Sequence, residues 1–187
     1  IDIKGLNGGN LVIKNADGKQ IPSQISPDGN SVLFQATVAG NSEETFLCAK
    51  GERQEFDTLA YSRYVPERKD DYAYENNLVA GRIYGPALKD PRTFGPDIWL
   101  KCTDRLVIND WFATGDYHHN HGEGMDCYKV ANTLGGGACV PYSGDKIFIG
   151  DNWAAQEHIC DGPVRTQATF SYPEFDVNGM KVSAERT

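Results

Sequence analysis

The sequence predicts a mainly β protein, an antiparallel β-sandwich forming a single domain over residues 1–187. Three observations point there. Short apolar runs alternate with Asp-Gly turn signals, about one turn every ten residues at the start of the chain. No stretch keeps a helical apolar period over three turns. The chain holds 20 glycines, as a protein built of turns and loops does.

Residues 1–55 read as a small antiparallel meander. In "NLVIKNADGKQIPSQIS" two apolar runs flank a turn at Asn15 to Gly18, the strongest short-range hairpin signal. "PDGNSVLFQATVAG" repeats the pattern around Asp28-Gly29-Asn30, and "EETFLCAK" adds a short strand. Residues 56–187 form a loop-rich sandwich portion that carries the candidate site. Strands are expected at "NLVAGRIYGPAL", "DIWLKC", "DKIFIGDN", "HICDGPVRTQATFSYP" and "VNGMKVSAE". "DRLVINDWFA" fits a short helix or a strand. Two stretches, Ser62 to Asn77 and Thr114 to Val140, are rich in charge, His and Tyr and poor in aliphatics, and read as long functional loops.

Composition narrows the classes. A net charge of -8 argues against a nucleic-acid partner, which needs clustered Lys and Arg. No apolar run approaches the roughly 20 residues of a membrane helix, so no membrane insertion is expected. "IDIKGL" has neither the basic nor the apolar region of a signal peptide. The five cysteines are widely spaced with no CxxC pair, against a zinc ribbon or a redox motif. An odd count leaves at least one unpaired within the chain. The strand-like end "GMKVSAERT" suggests a protein that continues past Thr187.

"YHHNHGEGMDCYKV" (117–130) holds three of the four histidines. On an extended segment His119, His121 and Glu123 would share a face, a ligand set for a divalent metal such as zinc. The same groups without metal suit acid/base chemistry on a bound substrate. The spacing is not that of a helical HExxH metalloprotease. "RYVPERKDDYAYENN" interleaves Tyr72 and Tyr74 with acids and arginines, as a sugar site requires: rings stack on the pyranose while charged groups bind hydroxyls or a uronate. The bland readings are a solvated loop and surface ion pairs. Arg82 and Arg165 lie in strand-like runs, each either paired or pointed into a cleft. The "GGG" run after the histidines lacks the Lys of a phosphate loop. Its expected part is to let the backbone turn under a site.

These stretches in this order resemble bacterial domain-of-unknown-function family 4861, typical of polysaccharide-degrading Bacteroidetes. The matching segments are "RYVPERKDDYAYENNLVAGRIYGPAL", "PDIWLK", "YHHNHGEGMDCYKV" with its "GGG", and "GPVRTQATFSYP". The resemblance covers Gln20 to the C-terminus and implies a galactose-mutarotase-like supersandwich, of which this chain would be the N-terminal part. It implies a periplasmic or extracellular protein acting on plant or algal glycans, uronate-containing ones among them. The chain departs from the family's pattern at Tyr74, where Trp is usual, and at Asn77, where Asp is usual.

The expected activity is therefore acid/base chemistry on a glycan, lyase- or hydrolase-like. His118, His121, Glu123 and Glu75 are the catalytic candidates. Tyr72, Tyr74, Arg82, Trp99, Asp126 and Arg165 are the substrate-binding ones. In a lyase, Arg82 or Arg165 would neutralise a uronate while His or Tyr takes the α-proton. A divalent metal at His119, His121 and Glu123 is the runner-up, and no other cofactor is assigned. The alternatives are a non-catalytic glycan-binding module, with Tyr72, Tyr74 and Trp99 on one open face, and a sugar epimerase or mutarotase-like enzyme.

Overall fold

Asp-Gly turns shape the start of the chain as expected, but not all of its strand pairing. The structure, a computed structural model, describes residues 1–5, 10–89 and 93–187. It divides them into two compact units, residues 1–60 with 160–165, and residues 61–159 with 166–187. The boundary expected after residue 55 thus falls at Ala60, and a later strip joins the first unit.

In the first unit, β1 (Leu11–Lys14) pairs with β4 (Leu47–Lys50), and β2 (Ser23–Ile25) pairs with β3 (Val32–Phe34), both antiparallel. A simple meander would have paired β1 with β2. Their turn does close, through Asn15 and Lys19, but makes only one bridge, Lys14 to Gln20. Ile21 N–H still reaches Ile13 O at 3.0 Å, but Pro22 after it has no N–H to extend the ladder, and the extended pairing of β1 is with β4. Ile3, Leu11, Ile13 and Val32 form the core.

The second unit carries a sheet in the order β5 (Ala60–Val65), β6 (Asp71–Asn76), β7 (Val79–Ile83), β8 (Asp97–Lys101), β9 (Gly124–Met125). One helix, α1 (Ile108–Thr114), settles the ambiguity of "DRLVINDWFA". A two-stranded ribbon joins β10 (Tyr142–Ser143) and β11 (Lys146–Ile147). A second sheet runs β12 (Ala155–Cys160), β13 (Gln167–Val177), β14 (Met180–Arg186). "HICDGPVRTQATFSYP" is therefore the end of one strand and the start of another.

The stretch expected as a loop at Ser62 to Asn77 is instead the β5–β6 hairpin. Lys69 and Asp70 both take positive φ, 50° and 60°, and the Asp71 N–H bonds Arg68 O at 3.1 Å. That is the type I′ geometry whose twist matches antiparallel strands.

Strand alternation then gives the large sheet two different faces. On one, Tyr72 and Ile83 pack with Trp153, Phe170 and Ala168 of the second sheet's side of the unit. On the other, Ala73, Ala80 and Trp99 pack with Val107, Ile108, Trp111, Phe112 and Tyr117 around α1. All five cysteines are free thiols. Among the described residues no helix is long and apolar enough to cross a membrane.

Candidate functional site

The face beneath α1 is apolar except for two ionic clusters, and register builds both. Glu75 lies opposite Ala80, which lies opposite Trp99; Ala73 lies opposite Arg82, which lies opposite Asp97. The period of two therefore turns Asp71, Ala73 and Glu75 inward together, with Arg82 and Asp97 beside them.

Glu75 is 2% exposed. Its carboxylate accepts the Val107 and Ile108 amides at 2.8–3.0 Å and pairs with Lys101 Nζ at 3.0 Å. It tethers the start of α1, whose first amides lack intrahelical partners, and is not open to substrate. Glu75→Gln leaves the buried Lys101 charge without its counter-ion. The expected cost is about 3 kcal/mol of stability, read by urea unfolding.

Arg82, 3% exposed, is the hub of the second cluster. Its guanidinium meets Asp97 Oδ2 at 3.0 Å, Asp126 Oδ2 at 3.5 Å and Asp71 Oδ2 at 3.8 Å, and donates to Tyr117 Oη at 2.8 Å. Tyr84, Tyr117 and Trp99 rings lie 5.0, 5.3 and 5.5 Å from its central carbon, within cation–π range. Asp97 is held as well, accepting from Trp99 Nε1 at 3.1 Å and Tyr84 Oη at 3.3 Å. Arg68 supports Asp71 at 3.1 Å. Burial pushes the Asp71 carboxyl up to about 6 against the pull of Arg68 and Arg82. Burial, then the Asp97 charge, raises Asp126 as well. Burial alone would lower the Arg82 pKa, but Tyr117, Tyr84, Asp71 and Asp97 reverse this and raise it.

This cluster floors a cavity of about 460 Å³ lined by Arg82, Tyr84, Thr93, His118, Asp126 and the segment 127–131, a volume in the range of small-ligand sites. At its wall the exposed imidazole of His118 places Nδ1 3.2 Å from Asp126 Oδ2. The glycine run packs closely on the residues that lead into β8. Gly136 N–H bonds Pro96 O at 2.7 Å, and a Cβ at Gly95 would lie 2.2 Å from the Leu134 backbone. Gly95→Ala is expected to cost about 3 kcal/mol by overpacking against the Leu134 backbone, read by urea unfolding.

The other candidates lie elsewhere. Residues 117–123 form turns, not an extended strand, because Asn120 Oδ1 accepts the Gly122 and Gly124 amides and both glycines take positive φ. His119, His121 and Glu123 consequently do not converge. The two imidazoles share Asp116, at 2.5 and 3.1 Å, while Glu123 is clamped by Arg105 at 2.7–2.8 Å. The His119 and His121 hydrogen bonds hold Asp116 below the usual carboxylate range. Among the described residues no three His, Cys, Asp or Glu are placed to hold a metal ion.

Tyr72 and Trp99, 1% and 0% exposed, are core residues, and Tyr74 donates to Asp97 O at 2.7 Å. Trp99 therefore presents no open stacking face, while partly buried Tyr74 lines a separate cavity of about 200 Å³ with Ile83, Ala168 and Phe170. Arg165 belongs to the other unit, where its backbone N and O both bond the Gln24 side chain. Sequence reasoning found Arg82, His118 and Asp126 but missed Asp71, Asp97, Tyr84 and Tyr117 around them. The signal was charge at an even, four-residue spacing in otherwise strand-like runs, Asp71 with Glu75 and Asp97 with Lys101.

The family model described as Domain of unknown function (DUF4861) matches residues 1–187. Among curated proteins the chain is similar to Uncharacterized protein P7 of Formosa agariphila, 34% identical over 83% of this chain and 44% of the relative. The chain thus spans less than half the length of that relative. No solved structure matches.

Proposed function

The chain belongs to the DUF4861 domain family, and from the cavity this member builds we propose that it is a carbohydrate-active protein working by acid/base chemistry. The observation that carries this reading is the His118–Asp126 pair at the wall of a sugar-sized cavity. With Nδ1 directed to a buried carboxylate, His118 keeps Nε2 to exchange a proton with a bound substrate. Asp126 is its positioning residue, and Arg82 in turn positions Asp126 through their 3.5 Å contact.

The substrate class is a plant or algal glycan, uronate-containing ones included, and the reaction is lyase- or hydrolase-like. The finer fold reading, a galactose-mutarotase-like supersandwich, and a periplasmic or extracellular location belong to the same proposal. Two-sheet packing in the second unit is in keeping with the former. The guanidinium of Arg82 is occupied by carboxylates and rings, so it does not neutralise a uronate. If the reaction is an elimination, another cation serves there.

The test is a screen of uronate-containing and neutral oligosaccharides, following unsaturated products by ultraviolet absorbance and new reducing ends by colorimetry. Turnover that disappears in His118→Ala supports the reading. Products formed equally by wild type and His118→Ala would place the chemistry elsewhere.

A further inference from the structure

We infer that the ligand of this cavity carries an acidic group, a carboxylate or a sulfate ester, and that Lys129 receives it. The inference rests on the sugar-site reading above. Two basic side chains, one carboxylate and one imidazole line the cavity: Arg82, Lys129, Asp126 and His118. Arg82, Asp126 and His118 are matched to one another. Arg82 is held by Asp97, Asp126 and Asp71, and Asp126 lies between Arg82 and His118.

Lys129 differs. It is exposed, and among the described residues no carboxylate pairs with it. A fixed cation on a concave wall attracts an anion by focusing its field there, in a chain whose net charge is -8. Lys129 lies three residues after Asp126 and lines the same cavity, so it is carried by the same short run as the proton-transfer pair. Tyr128, 42% exposed and lining the same cavity, is the accessible ring for a pyranose face. A substrate stacked on Tyr128 with its acidic group at Lys129 would bring its ring to the His118–Asp126 side.

Calorimetric titration of wild type, Lys129→Gln and Lys129→Arg separates the possibilities. The probes are short uronate oligosaccharides, their carboxyl-reduced neutral counterparts, and sulfated galactan oligosaccharides. Wild type is expected to prefer acidic over neutral members about tenfold, the scale of one charge-assisted hydrogen bond. Lys129→Gln should abolish that preference and Lys129→Arg keep it, while the stronger of the two acidic series identifies the group. Equal binding of acidic and neutral sugars, or a preference that survives in Lys129→Gln, overturns the inference and leaves the sugar site standing. Binding of no sugar by wild type overturns the sugar-site reading and the inference with it.

Discussion

Arg82→Met is expected to destabilise the second unit by about 3–5 kcal/mol near pH 7, the usual cost of removing one partner from a buried ionic cluster. Three carboxylates depend on this guanidinium: Asp97 and Asp71, both fully buried, and Asp126 at the cavity wall. Arg68 reaches only Asp71. Methionine would fill the space among Tyr84, Tyr117 and Trp99 but return none of the charge, so the loss is electrostatic rather than steric.

The pH dependence follows from Asp71. Its folded pKa, about 6, lies above the 3.8 of an ordinary aspartate. Its contribution to stability is thus fully present below 3.8 and is lost as pH rises through about 6, because the unfolded state releases the proton first. Asp126 shifts in the same direction. Without Arg82 both carboxyls rise further, so the deficit of Arg82→Met should be smallest near pH 4 and grow toward neutrality. Urea unfolding across this range, with Asp71 followed by carbon NMR, measures both effects. A variant within about 1 kcal/mol of wild type near pH 7 would mean that the cluster relaxes or admits water.

The same cluster explains what the sequence made legible. Turn chemistry placed the early strands, since Asp17-Gly18 and Asp28-Gly29-Asn30 leave little choice, whereas Asn178-Gly179, expected inside a strand, is the turn between β13 and β14. The β5–β6 hairpin was hidden because its inward positions include Asp71 and Glu75. Charge in a strand ordinarily faces water, so a charged run reads as a loop. Only the partner strands, with Arg82 and Lys101 at matching registers, make inward carboxylates tolerable, and pairing is not written in either strand alone. Tyr72 and Trp99 misled in the opposite sense, because an aromatic beside an acid suits a sugar platform and a core equally well. His118 and Asp126 stood close in the quoted motif, but turns at Gly122 and Gly124 decided that His118, and neither His119 nor His121, would meet the buried carboxylate.

On the sugar found by the screen, His118→Ala and Asp126→Asn are each expected to lower kcat about 10²–10⁴-fold, the range for losing a positioned acid/base group or the residue that orients it. Their stability signatures should differ from that of Arg82→Met. His118 is exposed, so its removal leaves the fold unchanged. Asp126→Asn removes a charge that burial and Asp97 already disfavour, while Arg82 keeps Asp97 and Asp71. Its stability should therefore stay within about 1 kcal/mol of wild type. Because the two residues act as one unit, the double variant should be little slower than either single one. Asp126→Asn should also change the pH profile of kcat/KM, since a carboxyl raised by burial and by Asp97 has been replaced by an amide that does not titrate. Additive losses would separate their roles. An Asp126→Asn enzyme that loses activity only in proportion to its folded fraction would return Asp126 to the structural cluster and leave His118 alone at the cavity wall.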